Sequence, residues 1–288
     1  MNDFSLILGL IAMTGWGIAD FIQGVVIRRL GTAMTMMVRN LFTLALNLVL
    51  GLILITSGKL EAPIQAILLI LGSSAFYVVG YLFYMRGFEV GKSSVVAPIA
   101  SSYCVITVIL SVLFNNETVA ALQIAAIICM VSGVYLLSME TWSICIDPRQ
   151  PGVKEALLAL TFLGVAFYVA GFASKSMAGE VSFFYSSFSQ AIIFLMLSFM
   201  LGARLNHLSN VSIHFWGTFG LHSLLVNGAW LAYLFGTNSG NISIVAPISS
   251  VFSGVTALLA IVITRERLIP IQYFGLVLIT LGVFTITI

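Results

Sequence analysis

The tetrapeptide Val96-Ala97-Pro98-Ile99 recurs as Val245-Ala246-Pro247-Ile248, and sliding the chain against itself by the same 149 residues keeps producing matches without a gap. Leu82 falls on Leu231, Tyr84 on Tyr233, Gly87 on Gly236, Ser101 on Ser250, Glu117 on Glu266, Gln123 on Gln272 and Gly133 on Gly282. Apolar bias aligns Leu with Leu, but it does not align Pro, Glu, Gln and Gly. The chain therefore reads as a duplication, with residues 1–149 forming one half (including a linker loop at about 139–153) and residues 150–288 the other.

Hydrophobic residues make up 60% of the 288 positions, charged ones 8%, and the mean hydropathy is +1.12. Soluble domains carry about a quarter charged residues, so this composition belongs to a membrane protein. About 20 apolar residues cross a bilayer core of about 30 Å. Ten such runs are predicted: 4–26, 33–56, 64–86, 94–114 and 119–138, then 155–173, 181–201, 213–235, 242–263 and 269–287. They are continuous and do not alternate, which favours helices over a barrel. Asp3 and the lack of a basic flank or small-residue cleavage site predict a retained first helix rather than a signal peptide.

Several function classes drop out. A net charge of +2 gives no reason to expect nucleic acid. Cys104, Cys129 and Cys145 lack metal spacing, and His207, His214 and His222 lack the i, i+4 spacing of a helical metal pair, so no metal site is expected. There is no GxSxG, HExxH or phosphate-binding loop, so neither an enzyme nor a cofactor is expected. The expected surroundings are a lipid bilayer and a small-molecule solute, with the chain a monomer or weak dimer.

Five spans per half is an odd number, so the second half enters the membrane from the opposite side. The predicted fold class is an all-α membrane protein of ten transmembrane helices in two inverted five-helix repeats, an arrangement suited to alternating access. Loops after odd-numbered spans, with nearby span ends, hold Arg28, Arg29, Arg39, Arg86, Lys92, Arg149, Lys154, Arg204, Arg265 and Arg267, against Lys59 and Lys175 on the other side. The positive-inside rule then places the odd loops in the cytoplasm of a prokaryotic cell and both termini outside.

The tandem five-helix repeat, Trp16-Gly17, the two Val-Ala-Pro-Ile segments, Glu117 and Glu266, and Gly133 and Gly282 together resemble the EamA family of the drug/metabolite transporter superfamily. The resemblance covers the whole chain. It implies a transporter fold, and export rather than uptake, but leaves the solute open because the superfamily carries many metabolites on one scaffold. It also implies termini in the cytoplasm, the reverse of the charge asymmetry, and Asn115-Asn116 departs from the glycine many relatives have there.

Candidate pathway residues follow from polarity inside apolar runs. Asp20 is the acid well inside a span, suited to proton coupling or a cationic solute, or to an ion pair with Arg39. Arg39 with Asn40 could hold a carboxylate or act as an interfacial anchor. Tyr77, Tyr81 and Tyr84 share a helix face, as do Trp230 and Tyr233 with Asn227 beside them; with Trp16 they form aromatic ledges, or interfacial belts. Ser182, Ser186, Ser189 and the adjoining Gln190 form a stripe that lines a wet path or packs helices. Pro98 and Pro247, with Ser101 and Ser250, mark gates, bends or ordinary helix starts, and Glu117 and Glu266 are expected to cap the fifth and tenth helices. Low buried charge argues against a phosphorylated substrate. A neutral, zwitterionic or hydrophobic-cationic solute fits better, moved by a secondary transporter; a lipid flippase is the alternative, and a non-transporting receptor or assembly subunit the third reading.

Overall fold

A computed structural model describes residues 3–91, 96, 99–137, 139, 151–203, 213–264 and 269–286. They form α1 (Asp3–Leu30), α2 (Thr32–Thr56), α3 (Ile64–Val90), α4 (Tyr103–Asn115), α5 (Ala121–Leu137), α6 (Val153–Ser174), α7 (Gly179–Met200), α8 (Ile213–Ser239), α9 (Ile242–Ser250), α10 (Phe252–Thr264) and α11 (Pro270–Thr285). Among the described residues, five helical segments, in α1, α2, α3, α6 and α7, are long and apolar enough to cross a membrane.

Helix α2 shows what solvent the fold is built for. It buries Thr35, Arg39, Asn40, Thr43 and Asn47 while exposing Leu48, Val49 and Leu52 by more than 60% each. In water that inside-out pattern would leave a broad apolar surface uncovered; in a bilayer the same side chains meet lipid. The buried amides are partnered in the helix itself, with Asn40 donating to Met36 O (2.8 Å) and Asn47 to Thr43 O (2.9 Å).

The helix pairs recur across the two halves. Helix α1 packs on α8 as α6 packs on α3, α1 packs on α10 as α6 packs on α4, and α2 pairs with α7 and α5 with α11. At the α5–α11 crossing a Cβ on Gly133 would lie 2.7 Å from the Gly275 oxygen and 2.8 Å from Ile279 N, while one on Gly282 would lie 2.8 Å from the Ala126 oxygen. The backbones are in contact there, which only glycine permits, and the order of contacts makes the two helices antiparallel. Gly17 meets Val255, and Thr256 donates to its carbonyl at 3.0 Å; Gly164 meets Ile106, and Thr107 donates to its carbonyl at 3.0 Å. The second contact is the first repeated. The match of Gly17 with Gly164, however, is two residues short of the shift that aligns the Pro98 and Pro247 segments.

The fourth and ninth spans are not the continuous helices expected. Both break, at Ser102 and at Val251, where the amide turns to the i−3 carbonyl: Ser102 N to Ile99 O (3.2 Å) and Val251 N to Ile248 O (3.3 Å). Pro247 lies inside α9, and the Ser250 hydroxyl takes over the Pro247 carbonyl at 2.8 Å. Pro98 lies outside the described residues.

Candidate functional site

A cavity of about 70 Å³ lies at the centre, lined by Trp16, Asp20 and Gln23 of α1, Arg39 of α2, Tyr77, Tyr81 and Tyr84 of α3, Ala100, Ser101 and Tyr103, Leu163 and Phe167 of α6, Val226 of α8 and Phe252 of α10. At 10–15 Å³ per water-sized position it has room for roughly five waters. Arg39 is 8% exposed. Its guanidinium donates from Nη1 to the Tyr81 hydroxyl (3.4 Å), lies over the rings of Tyr81 (5.5 Å) and Phe194 (5.9 Å), and faces Tyr77 and the Asp20 carboxyl. Gln23 donates to the same Tyr81 hydroxyl at 2.7 Å, so one phenol ties α1, α2 and α3 together at the cavity wall. Stacking on rings suits a guanidinium in a site poor in water.

A smaller cavity of about 20 Å³ adjoins it, sharing Trp16, Arg39, Tyr77 and Val226 and adding Asn40, Thr43, Ser187, Gln190, Asn227 and Trp230. Its wall is polar and hydrogen-bonded. Asn227 donates to Thr43 Oγ1 (2.9 Å) and Ser223 O (2.7 Å), and Ser187 donates to Asn47 Oδ1 (2.7 Å).

One side of the larger cavity is closed by aromatic rings. Trp16 contacts Phe167 (5.5 Å), Tyr233 (6.0 Å) and Trp230 (6.1 Å), and Phe167 stacks on Tyr103 at 4.3 Å. A turn further along α8, Thr237 meets the Ser174 hydroxyl at 3.1 Å and Asn238 donates to Ser174 O and to Met177 O (3.1 Å). Beyond these, the Glu117 carboxylate accepts from Ser243 N (2.9 Å), Ile242 N (3.3 Å) and Lys175 Nζ (3.0 Å). Glu117 thus caps α9 in the other half and not the fifth helix, where the sequence pattern places it. The reason is register: α5 begins only at Ala121, and Gln123 caps it by accepting from Ala120 N at 3.0 Å. Burial works against the charge on Glu117, but the Ser243 and Lys175 hydrogen bonds outweigh it and hold the carboxyl at about 2, below its ordinary 4.5. Glu266 lies outside the described residues.

The remaining sequence candidates divide by position. Trp16, Asp20, Arg39, Tyr77, Tyr81, Tyr84 and Ser101 line the larger cavity, and Asn40, Gln190, Asn227 and Trp230 the smaller one. Ser186 and Ser189 serve helix packing: Ser186 accepts from Trp230 Nε1 (2.9 Å), and Ser189 donates to Ser74 Oγ (2.8 Å). Tyr233 is fully buried, donating to Phe167 O (3.0 Å), and Ser250 is occupied by Pro247. Sequence reasoning passes over Gln23 and Thr43, although Gln23 lies three residues after Asp20 and Thr43 four after Arg39, each on its partner's helix face.

The equivalent helices carry different chemistry at the matching places. Ser223 donates to Arg39 O (3.3 Å) as Ser74 does to Ser186 O (3.3 Å), which makes Arg39 and Ser186 counterparts. Tyr81 meets Arg39 where Trp230 meets Ser186, and Asp20 is matched by Phe167. The matching places thus differ in chemistry, with Asp20 and Arg39 in one half where the other has Phe167 and Ser186.

These features define a multi-pass helical membrane protein with a solvent-sized central cavity lined by a buried Arg and a partly buried Asp. The chain belongs to the EamA-like transporter family, whose model matches twice, over residues 3–139 and 150–288. It is 33% identical over 144 residues to the uncharacterized protein MJ1333.1 of Methanocaldococcus jannaschii, an alignment covering 48% of this chain and 98% of that relative. A crystal structure of a protein 15% identical superposes with a TM-score of 0.78, covering 100% of this chain and 97% of the other, which shows the shared fold.

Proposed function

We propose that this transporter moves a small organic solute by alternating access, as a secondary carrier with two inverted five-helix halves spanning a cytoplasmic membrane. The antiparallel run of α5 against its counterpart α11 and the recurring helix pairs support the inversion. The observation that carries the reading is the central cavity itself: Asp20 and Arg39 face one space between the halves, enclosed by aromatic rings. Charges buried in a membrane are costly and belong to pathways.

The Glu117, Asn238 and Ser174 contacts support a state sealed on the side of the Glu117 turn. By the asymmetry of Lys and Arg that side is external, so the cavity addresses the cytoplasm. Asp20 is the group for proton or cation coupling. Export is the direction that the family resemblance favours.

The test is solute exchange by the full chain in proteoliposomes, screened with amines, amino acids, organic acids and hydrophobic cations at pH 5.5 and 8. Exchange that depends on pH in the wild type and loses that dependence in Asp20→Asn is the expected result. Exchange untouched by Asp20→Asn would return Asp20 to a structural role. No exchange of any solute, with lipid transfer between leaflets instead, would replace the reading with a flippase.

A further inference from the structure

Two donors at the smaller cavity are unpaired. Arg39 Nε and Gln190 Nε2 are both buried without a hydrogen-bond partner, on residues 8% and 9% exposed that both line it. A buried donor left unpaired is costly, and more so on a charged group. Two of them on one small chamber point to an acceptor that the protein does not itself provide. Among the described residues that line the chamber there is no Asp or Glu, since Asp20 lines only the larger cavity, so its charge is positive. Asn227 spends its amide hydrogens on Thr43 and Ser223, and Ser187 spends its hydroxyl on Asn47. Asn40 uses one amide hydrogen on Met36 O, which leaves its second as a further donor.

We infer that the smaller cavity is a carboxylate subsite. A carboxylate of the transported solute accepts from Arg39 Nε and Gln190 Nε2 there, while the rest of the solute occupies the larger, aromatic-walled cavity across the shared Arg39 and Tyr77. The volume of about 20 Å³ matches a group of two oxygens and a carbon, room for one or two waters. The charge assigns the ends: an anionic group meets Arg39 in the smaller cavity, and Asp20, which lines only the larger one, is left for an amino group or a proton. This inference rests on the transport reading and adds the substrate class to it.

The experiment measures equilibrium binding to the full chain in lipid nanodiscs, using two matched sets: propionate, alanine and ethylamine, and 4-methylpentanoate, leucine and 3-methylbutylamine. Within a set the expected result is at least tenfold weaker binding when the carboxylate is missing. Gln190→Glu, which replaces the Nε2 donor with an acceptor oxygen of the same size, should abolish that preference. Gln190→Met, which removes the donor and keeps the length, should weaken carboxylate binding about tenfold. Equal binding of acids and amines would overturn the inference, as would a preference indifferent to both substitutions, which would mean bridging water alone occupies the chamber. Either result leaves the transport reading standing if the proteoliposomes still exchange a solute, whereas no exchange of anything removes both.

Discussion

Glu117 offers a quantitative test of how the α4–α5 turn is held to α6 and α9. Its carboxylate joins the α4–α5 turn, the end of α6 and the start of α9 through three hydrogen bonds, one of them to Lys175, and its side chain is 6% exposed against 35% for the lysine. The carboxyl is held at about 2 when folded and titrates near 4.5 when free. A pKa lowered by folding contributes stability that is fully present above the free value and is lost as pH falls through the folded one. The window is therefore about pH 4.5 down to 2. A tenfold change in proton affinity is worth about 1.4 kcal/mol, and discounting for the half-exposed lysine leaves about 2 kcal/mol at neutral pH. Glu117→Gln keeps the shape and one acceptor oxygen but loses the charge. It should lower the apparent melting temperature at pH 7 by about 3 °C for a chain of this size. The gap should stay constant from pH 8 to pH 6 and shrink by about half at pH 3. A gap equally large at pH 3 would show that the charge is not what matters, and no gap at pH 7 would show that the contacts do not hold these elements together.

Gly133→Ala drives a Cβ into the α11 backbone and should cost about 1–3 kcal/mol, whereas Gly72→Ala, with nothing within 4 Å, should be neutral or mildly stabilising; thermal melts of the two variants side by side check this. Asn238→Ala removes the donor that ties α8 to the end of α6, and should raise the labelling rate of a cysteine introduced by Thr237→Cys, a fully buried position. Trp230→Phe keeps the ring contact with Phe167 but loses the donor to Ser186, with an expected cost of about 1 kcal/mol on the same melts.

The spans and the duplication can be read directly, because lipid demands long apolar runs and because Pro, Glu and Gln do not realign by accident. Asp20 and Arg39 stand out for the same reason: charge inside such a run is conspicuous. Other features depend on partners far away in the chain. The counterpart of Arg39 is Ser186, a match hidden by the two-residue offset of the early spans and by the replacement of a cation with a hydroxyl. The serine stripe of α7 has two plausible uses in the sequence, and only the position of Ser74 and Trp230 decides for packing. Glu117 sits where a helix cap belongs, yet four residues ahead of its own helix and beside the start of α9, a distinction local sequence does not carry.

The inside-out helix α2 has a consequence for how the protein is made. Its polar face finds its final partners late: Asn47 waits for Ser187, 140 residues on, and Thr43 for Asn227, 184 residues on. At 5–20 residues per second of synthesis, that is about 10–40 s during which α2 is already in the membrane without them. Over that interval Arg39, Asn40, Thr43 and Asn47 must be sheltered by water, by the insertion machinery or by α1 and α3, so the early half of the chain is held by borrowed contacts until the ribosome delivers the late half.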